Sequence, residues 1–124
     1  MIKNFEELFV WQKAHRLTKF IYQITRSFPQ DERFGLTSQI RRSSISVENN
    51  IAEGFGRRTT KDFINFLYKS LGSLLETRSM VRLSNELRFI NQKDYEFMLE
   101  ETIGLQMMIK KLIGVLKKKE TPII

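Results

Sequence analysis

The sequence predicts an all-α protein, an antiparallel four-helix bundle joined up-down-up-down, on three observations. Apolar residues recur at alternating spacings of four and three along four long segments, the period of helices packed on one another. Only two prolines and six glycines are spread over those segments. The connections between them are short, so consecutive helices lie side by side and antiparallel. At 124 residues the chain suits one domain, 1–124, long enough to bury a core without staples.

Helix 1 is predicted over 9–28, where Val10, Ala14, Leu17, Ile21, Ile24 and Phe28 form the seam and Pro29 ends it. Phe5, Leu8 and Phe9 make an apolar lead-in. Trp11, His15, Thr18 and Tyr22 lie about a third of a turn from the seam. They pack on the lead-in or meet another subunit. Helix 2 is predicted over 31–53, with Asp31 and Glu32 in its first turn, where the helix dipole favours acids. Its seam is Leu36, Ile40, Val47 and Ile51, with Ser43 and Ser44 between them and a partial second stripe at Ile45 and Ala52. Asn50 either fixes helix register or caps a loop carbonyl. Gly54-Phe55-Gly56 is expected to break the helix through glycine's tolerance of positive φ.

Thr59-Thr60-Lys61-Asp62 resembles a capping box opening helix 3, predicted over 60–87. Its seam is Phe63, Leu67, Ser70, Leu74, Thr77 and Val81, and Ile64, Tyr68, Leu71 and Leu75 form a second stripe. A helix apolar on two sides is buried on two sides. The stripe Ile64, Tyr68, Leu71, Leu75, with Trp11 and Tyr22, is therefore expected between subunits of a homo-oligomer. Leu87, Phe89 and Ile90 are expected to tuck against the bundle end. Helix 4, 92–118, carries Tyr95, Leu99, Thr102, Leu105 or Gln106, Ile109, Leu112, Ile113 and Leu116. Acids at its start and lysines at its end match its dipole.

The net charge of +7 favours polyanionic partners as a class, although such charge also simply maintains solubility. Lysines 110, 111, 117, 118 and 119 place part of the excess near the C-terminus. The absence of cysteine excludes disulfides and thiolate metal sites. No apolar run approaches the ~20 residues needed to span a bilayer, and acids stand where a signal peptide needs basic then apolar residues. A soluble, cytoplasmic protein is the expectation.

No catalytic constellation, metal site or cofactor is indicated. The single histidine, His15, reads as a packing or interface residue. Glu48 and Glu53 diverge on one helix and suit arginine partners or a neighbouring helix. Gly54-x-Gly56 lacks the strand and third glycine of a dinucleotide fingerprint. The one site-like feature is Arg57-Arg58-Thr59-Thr60-Lys61, two arginines and a lysine at a helix N-terminus where backbone N–H groups can meet phosphate. Arg41 and Arg42 extend that nucleic-acid patch only if a neighbouring subunit brings them near. The plainer reading is a solvated charged loop.

Several ordered blocks carry a resemblance: Phe5-x-x-Leu8-x-Val10-Trp11-Gln12-Lys13-Ala14, Phe28-Pro29-x-x-Glu32-x-x-Gly35-Leu36-x-x-Gln39-Ile40-Arg41-Arg42-Ser43, Asn50-Ile51-Ala52-Glu53-Gly54-x-Gly56-Arg57, Phe63-x-x-Phe66-Leu67 and Gly72-Ser73-Leu74-x-Glu76. Together they resemble the bacterial four-helix-bundle proteins encoded in intervening sequences of large-subunit ribosomal RNA genes. The accessory bundle proteins of diversity-generating retroelements are similar. The resemblance implies an up-down bundle assembled into a ring, a homopentamer. It also implies nucleic-acid or reverse-transcriptase-like partners. Thr77-Arg78 and Ser43-Ser44 depart from it, standing where the family tends to an apolar-acidic pair and to alanines. Two functions follow as expectations: a non-enzymatic oligomer binding structured RNA, or a protein–protein adaptor for a polymerase-like partner.

Overall fold

The computed structural model describes residues 1–120. Among them are four α-helices and no strand: α1 Phe9–Thr25, α2 Leu36–Phe55, α3 Thr60–Glu86 and α4 Gln92–Glu120. Two 3-10 turns, Phe5–Glu7 and Gln30–Glu32, precede α1 and α2. Side-chain pairings establish the direction of each helix. On α1 and α2, His15 meets Glu48, Thr18 meets Ser44 and Thr25 meets Arg41, so the two run antiparallel. The pairs Ser43–Thr77, Ser46–Ser73 and Val47–Ser70 give the same sense for α2 and α3. Arg78–Thr102 and Arg82–Tyr95 do so for α3 and α4, and Lys13–Glu101 and Phe20–Phe97 close α4 onto α1. This is the up-down-up-down bundle.

The core is built from the predicted seams, with local shifts. Ala14, Leu17 and Ile21 of α1, Ile40, Val47 and Ile51 of α2, and Leu67, Leu74 and Val81 of α3 are buried together. In α4 the buried set is Met98, Thr102, Leu105, Ile109 and Ile113, so Leu105, and not Gln106, takes the seam. Leu87 does not tuck in as expected; Phe89 is half-buried against Phe28 and Ile90 is buried, but Leu87 stays exposed.

Hydroxyl residues sit where the helices cross. Ser43 Oγ lies 2.7 Å from Thr77 Oγ1, Ser70 donates to the Val47 carbonyl at 2.8 Å, and Thr18 Oγ1 is 3.1 Å from the Ser44 carbonyl oxygen. Small side chains allow close approach, and a hydrogen bond offsets the cost of burying each hydroxyl. Among the described residues no buried side-chain nitrogen or oxygen lacks a partner. Asn50 follows neither expectation. Its amide donates to the Ser46 carbonyl and to Ser46 Oγ, and Ser46 in turn meets Ser73 on α3.

Three boundaries move for physical reasons. Helix α1 stops at Thr25, before Phe28, and its last turn frays into i→i+3 bonds ahead of Pro29. Helix α2 starts at Leu36 and not at residue 31, because Gly35 adopts φ −111° and ψ −114°, outside the helical region. Glu32 nevertheless caps α2 from the preceding turn, accepting the Leu36 N–H at 3.0 Å. Gly54 does not break the helix. It lies within α2, no glycine has positive φ, and the residue with φ +64° is Arg88. What Gly54 provides is room, since a Cβ there would stand 2.6 Å from the Phe66 Cβ.

α3 starts at Thr60 as predicted, but that close approach shifts which residue of its first turns enters the core. Phe63 packs across the α2 backbone at Gly54 and against Phe55, half-buried. Ile64 takes the core position instead, at 6 % exposure.

Candidate nucleic-acid interface

The α2–α3 corner forms because α2 ends at Phe55 and Thr59 caps α3, its hydroxyl accepting the Asp62 N–H at 3.1 Å. Aspartate therefore serves the cap through its backbone. Arg57, Arg58 and Lys61 project from this corner, all exposed. Arg57 is partly committed. It pairs with Glu53 at 2.8 Å, and its guanidinium lies 4.6 Å from the Phe66 ring centroid, a ring that also has the Lys69 ammonium at 4.4 Å. Both partners of the Arg57–Glu53 pair are exposed, so it contributes at most about 1 kcal/mol and leaves the arginine open to exchange. Neither Arg58 nor Lys61 takes part in an ion pair among the described residues.

Antiparallel topology adds to this corner. The end of α4 returns to the same end of the bundle as the start of α3, as the Lys117 ammonium over the Tyr68 ring at 5.3 Å demonstrates. The lysines of the last turns of α4 therefore share an end with Arg57, Arg58 and Lys61. Arg41 and Arg42 do not. They lie toward the other end of α2, about 20 Å away at ~1.5 Å per residue. Arg41 is fixed there, its Nε donating to Thr25 Oγ1 at 2.8 Å and its guanidinium 4.5 Å from the Tyr22 ring centroid. Arg33 and Phe34 join this second face from the α1–α2 connection. The sequence places both in the first turns of helix 2, whereas α2 starts at Leu36 and they lie in the turn before it.

The expected subunit stripe divides. Tyr68 and Leu75 are 46 % and 44 % exposed, and Leu71 beside them is half-buried. Ile64 belongs to the protomer's own core and leaves the stripe, for the reason given by Gly54. Trp11 packs edge-on against Phe5 at 5.1 Å and stacks on His15 at 4.6 Å, so it rests on the lead-in. Tyr22 is engaged by Arg41 and is still 37 % exposed.

Three further polar groups tie the helices to one another. His15 Nδ1 lies 2.9 Å from Glu48 Oε2, linking α1 to α2. Lys13 pairs with Glu101 at 3.1 Å. Arg78 ties α3 to the Thr102 hydroxyl and carbonyl and to Gln106. Burial, and secondarily the charge of Arg82, lowers its pKa from the usual guanidinium value, and it remains a cation. Among the described residues no group of three or more His, Cys, Asp or Glu is placed to hold a metal ion, and no helix is long and apolar enough to cross a membrane.

Fold and surface together define a class: a basic four-helix bundle whose cations collect at the bundle end and beside Tyr22. Within that class the chain belongs to the 23S rRNA-intervening sequence protein family, whose model matches residues 6–111. A crystal structure from Bacteroides thetaiotaomicron, of a protein of unknown function from the S23 ribosomal protein family, is similar at 23 % identity and a TM-score of 0.76. The match covers 85 % of this chain and 95 % of that one, and at this identity it establishes the shared fold alone. No curated protein matches the chain.

Proposed function

We propose that the protein is a non-enzymatic homo-oligomer that holds structured RNA through the cationic end of its bundle. The observation that carries this reading is the corner of Arg57, Arg58 and Lys61. It combines exposed cations with the first turn of α3, where Asp62 is the nearby acid, and among the described residues Arg57–Glu53 is the one ion pair at this corner. Phosphate contacts of this kind supply most sequence-independent affinity for nucleic acid and make it salt-dependent. The net charge of +7 and a family described by 23S rRNA intervening sequences support a polyanionic partner. The partial exposure of Tyr68 and Leu75 on one stripe of α3 supports a subunit contact there, and the ring is what the family resemblance implies.

The test is RNA retention by Arg57→Glu/Arg58→Glu/Lys61→Glu across a salt series. Acids at the start of α3 suit its dipole, so the fold is expected to persist. Removing three phosphate contacts is expected to flatten the slope of log K against log salt by about 2 to 3. Unchanged affinity and slope would eliminate this corner. Capture of one protein from nuclease-treated lysate, with no RNA bound by the wild type, would replace the reading with an adaptor for a polymerase-like partner.

A further inference from the structure

The second cationic face differs in kind from the bundle end. Around Phe34 and Tyr22, an open groove of about 450 Å³ is lined by Arg33, Thr37, Arg41 and Arg42 as well as the two rings. A second depression adjoins it, sharing Arg33, Thr37 and Arg41 and adding Arg26. No carboxylate lines either one. None of these four arginines takes part in the ion pairs among the described residues. Arg42 also borders a smaller depression with Glu76, with no ion pair between them. Four guanidinium groups thus line two adjoining depressions that contain no carboxylate, with Glu32 in the neighbouring turn committed to the Leu36 N–H, and the face is complementary to an anion.

The aromatic rings specify which anion. Phe34 is 86 % exposed, with the Arg33 guanidinium 5.4 Å from its ring centroid. Tyr22 is backed by Arg41, which is pinned by its bonds to Thr25 Oγ1 and the Tyr22 carbonyl. A simple polyanion has no use for exposed rings. A nucleotide supplies both parts, a flat π-face for Phe34 or Tyr22 and a phosphate for the arginines. A duplex stacks its bases on each other and hides those faces, whereas an unpaired strand presents them.

We propose that this α1–α2 face is a stacking site for one or two bases of a single-stranded nucleic acid, with Phe34 as platform and Arg33, Arg41 and Arg42 on the flanking phosphates. It takes the polymer's identity from the RNA reading above, but it uses a different face and a different strand state. In use, the bundle end holds paired RNA and this groove holds an adjoining unpaired segment.

The experiment is anisotropy titration at fixed salt with three probes: a labelled uridine octamer, an abasic octamer with the same backbone, and a blunt hairpin. Phe34→Ala is expected to weaken the uridine octamer about fivefold or more and to leave the abasic octamer and the hairpin unchanged. Phe34→Trp is expected to retain octamer binding. Arg41→Gln/Arg42→Gln is expected to weaken both octamers. At this exposure Phe34 makes little contribution to the fold, so the variant remains interpretable. Equal loss on both octamers, or no loss on either, overturns the stacking site. A change of molar mass in Phe34→Ala also overturns it and makes the face a subunit contact. If Arg57→Glu/Arg58→Glu/Lys61→Glu loses the hairpin while Phe34→Ala changes nothing, the bundle-end reading stands and the groove falls. If the wild type binds the octamer and not the hairpin, the bundle-end reading falls instead.

Discussion

Substituting Gly54 separates two effects that act in opposite directions. Glycine in a helix interior is about 1 kcal/mol less favourable than alanine, so Gly54→Ala, in the last turn of α2, gains at most that amount from propensity. Against it stands the packing of α2 on α3. The new Cβ would lie 2.6 Å from the Phe66 Cβ and 3.0 Å from Phe63 Cδ1. The Phe66 Cβ is fixed to its backbone and no rotamer change moves it. One helix must therefore retreat by about 1 Å to restore ordinary contact, and overpacking of this kind costs about 1–3 kcal/mol. Because the contact is with a backbone-anchored atom, the upper part of that range applies, and the net loss is about 2 kcal/mol. Gly114→Ala is the control, an exposed position in α4 where a Cβ would meet nothing within 4 Å. It is expected to gain about 1 kcal/mol. Urea unfolding followed by circular dichroism, at one fixed protein concentration because assembly shifts the midpoint, reads both. The two urea midpoints are expected to move in opposite directions, and in a thermal melt the melting temperatures do the same at about 4 °C per kcal/mol for a chain of this size. A Gly54→Ala protein as stable as Gly114→Ala would refute the close-approach account.

The C-terminus of α3 is closed by a Schellman pair, Phe89 N–H to the Ser84 carbonyl at 2.8 Å and Arg88 N–H to that of Asn85 at 3.0 Å, with Arg88 at φ +64°. Arg88→Gly relieves that strain and is expected to stabilise the protein by about 1 kcal/mol in the same assay; a lower midpoint would contradict it. Leu75→Asp, on the exposed stripe, is expected to give folded monomers by light scattering, whereas Ile64→Asp in the core is expected not to fold. A monomeric wild type would remove the subunit interface. The Glu7 carboxylate accepts the Asn4 and Lys3 backbone N–H groups, chiefly the former, which lowers its pKa from the ordinary 4.5. A lowered folded-state pKa means the contribution is present above 4.5 and lost as pH falls through the folded value. The Lys3 and Asn4 amide resonances are accordingly expected to shift only below pH 4.5, with helix content unchanged, and a midpoint above 4.5 would contradict this.

Four helices and most of their core were legible because an apolar seam at helical spacing has one common solution. The errors cluster where two chain segments touch rather than where one segment coils. Gly54 reads locally as a breaker, and only the facing Phe66 reveals that it is a contact. The same contact exchanges Phe63 for Ile64 in the core, so the apparent second stripe of α3 lost its first member. At the other end of α3, no residue type announced the left-handed turn at Arg88, since glycine is the usual signal. The basic corner was legible as a run of cations beside a cap. The groove at Phe34 was not, because it is assembled from Tyr22, Arg33 and Arg41, which only the α1–α2 fold brings together.

Helix α2 links these observations. Its serines let it lie close to both α1 and α3: Ser44 faces Thr18, Ser43 faces Thr77 and Ser46 faces Ser73. A helix held at two crossings is a rigid spacer between what it carries at its ends. At one end are Arg41 and Arg42, and just past the other are Arg57 and Arg58, with about 20 Å between them at ~1.5 Å per residue. That distance spans about six nucleotides of a stacked strand at ~3.4 Å each, so on the proposed reading one RNA is long enough to reach both basic clusters. Coupling between them then depends on the rigidity of α2, and Gly54→Ala, which moves its end against α3, is expected to weaken binding of an RNA that needs both sites more than binding of the uridine octamer alone.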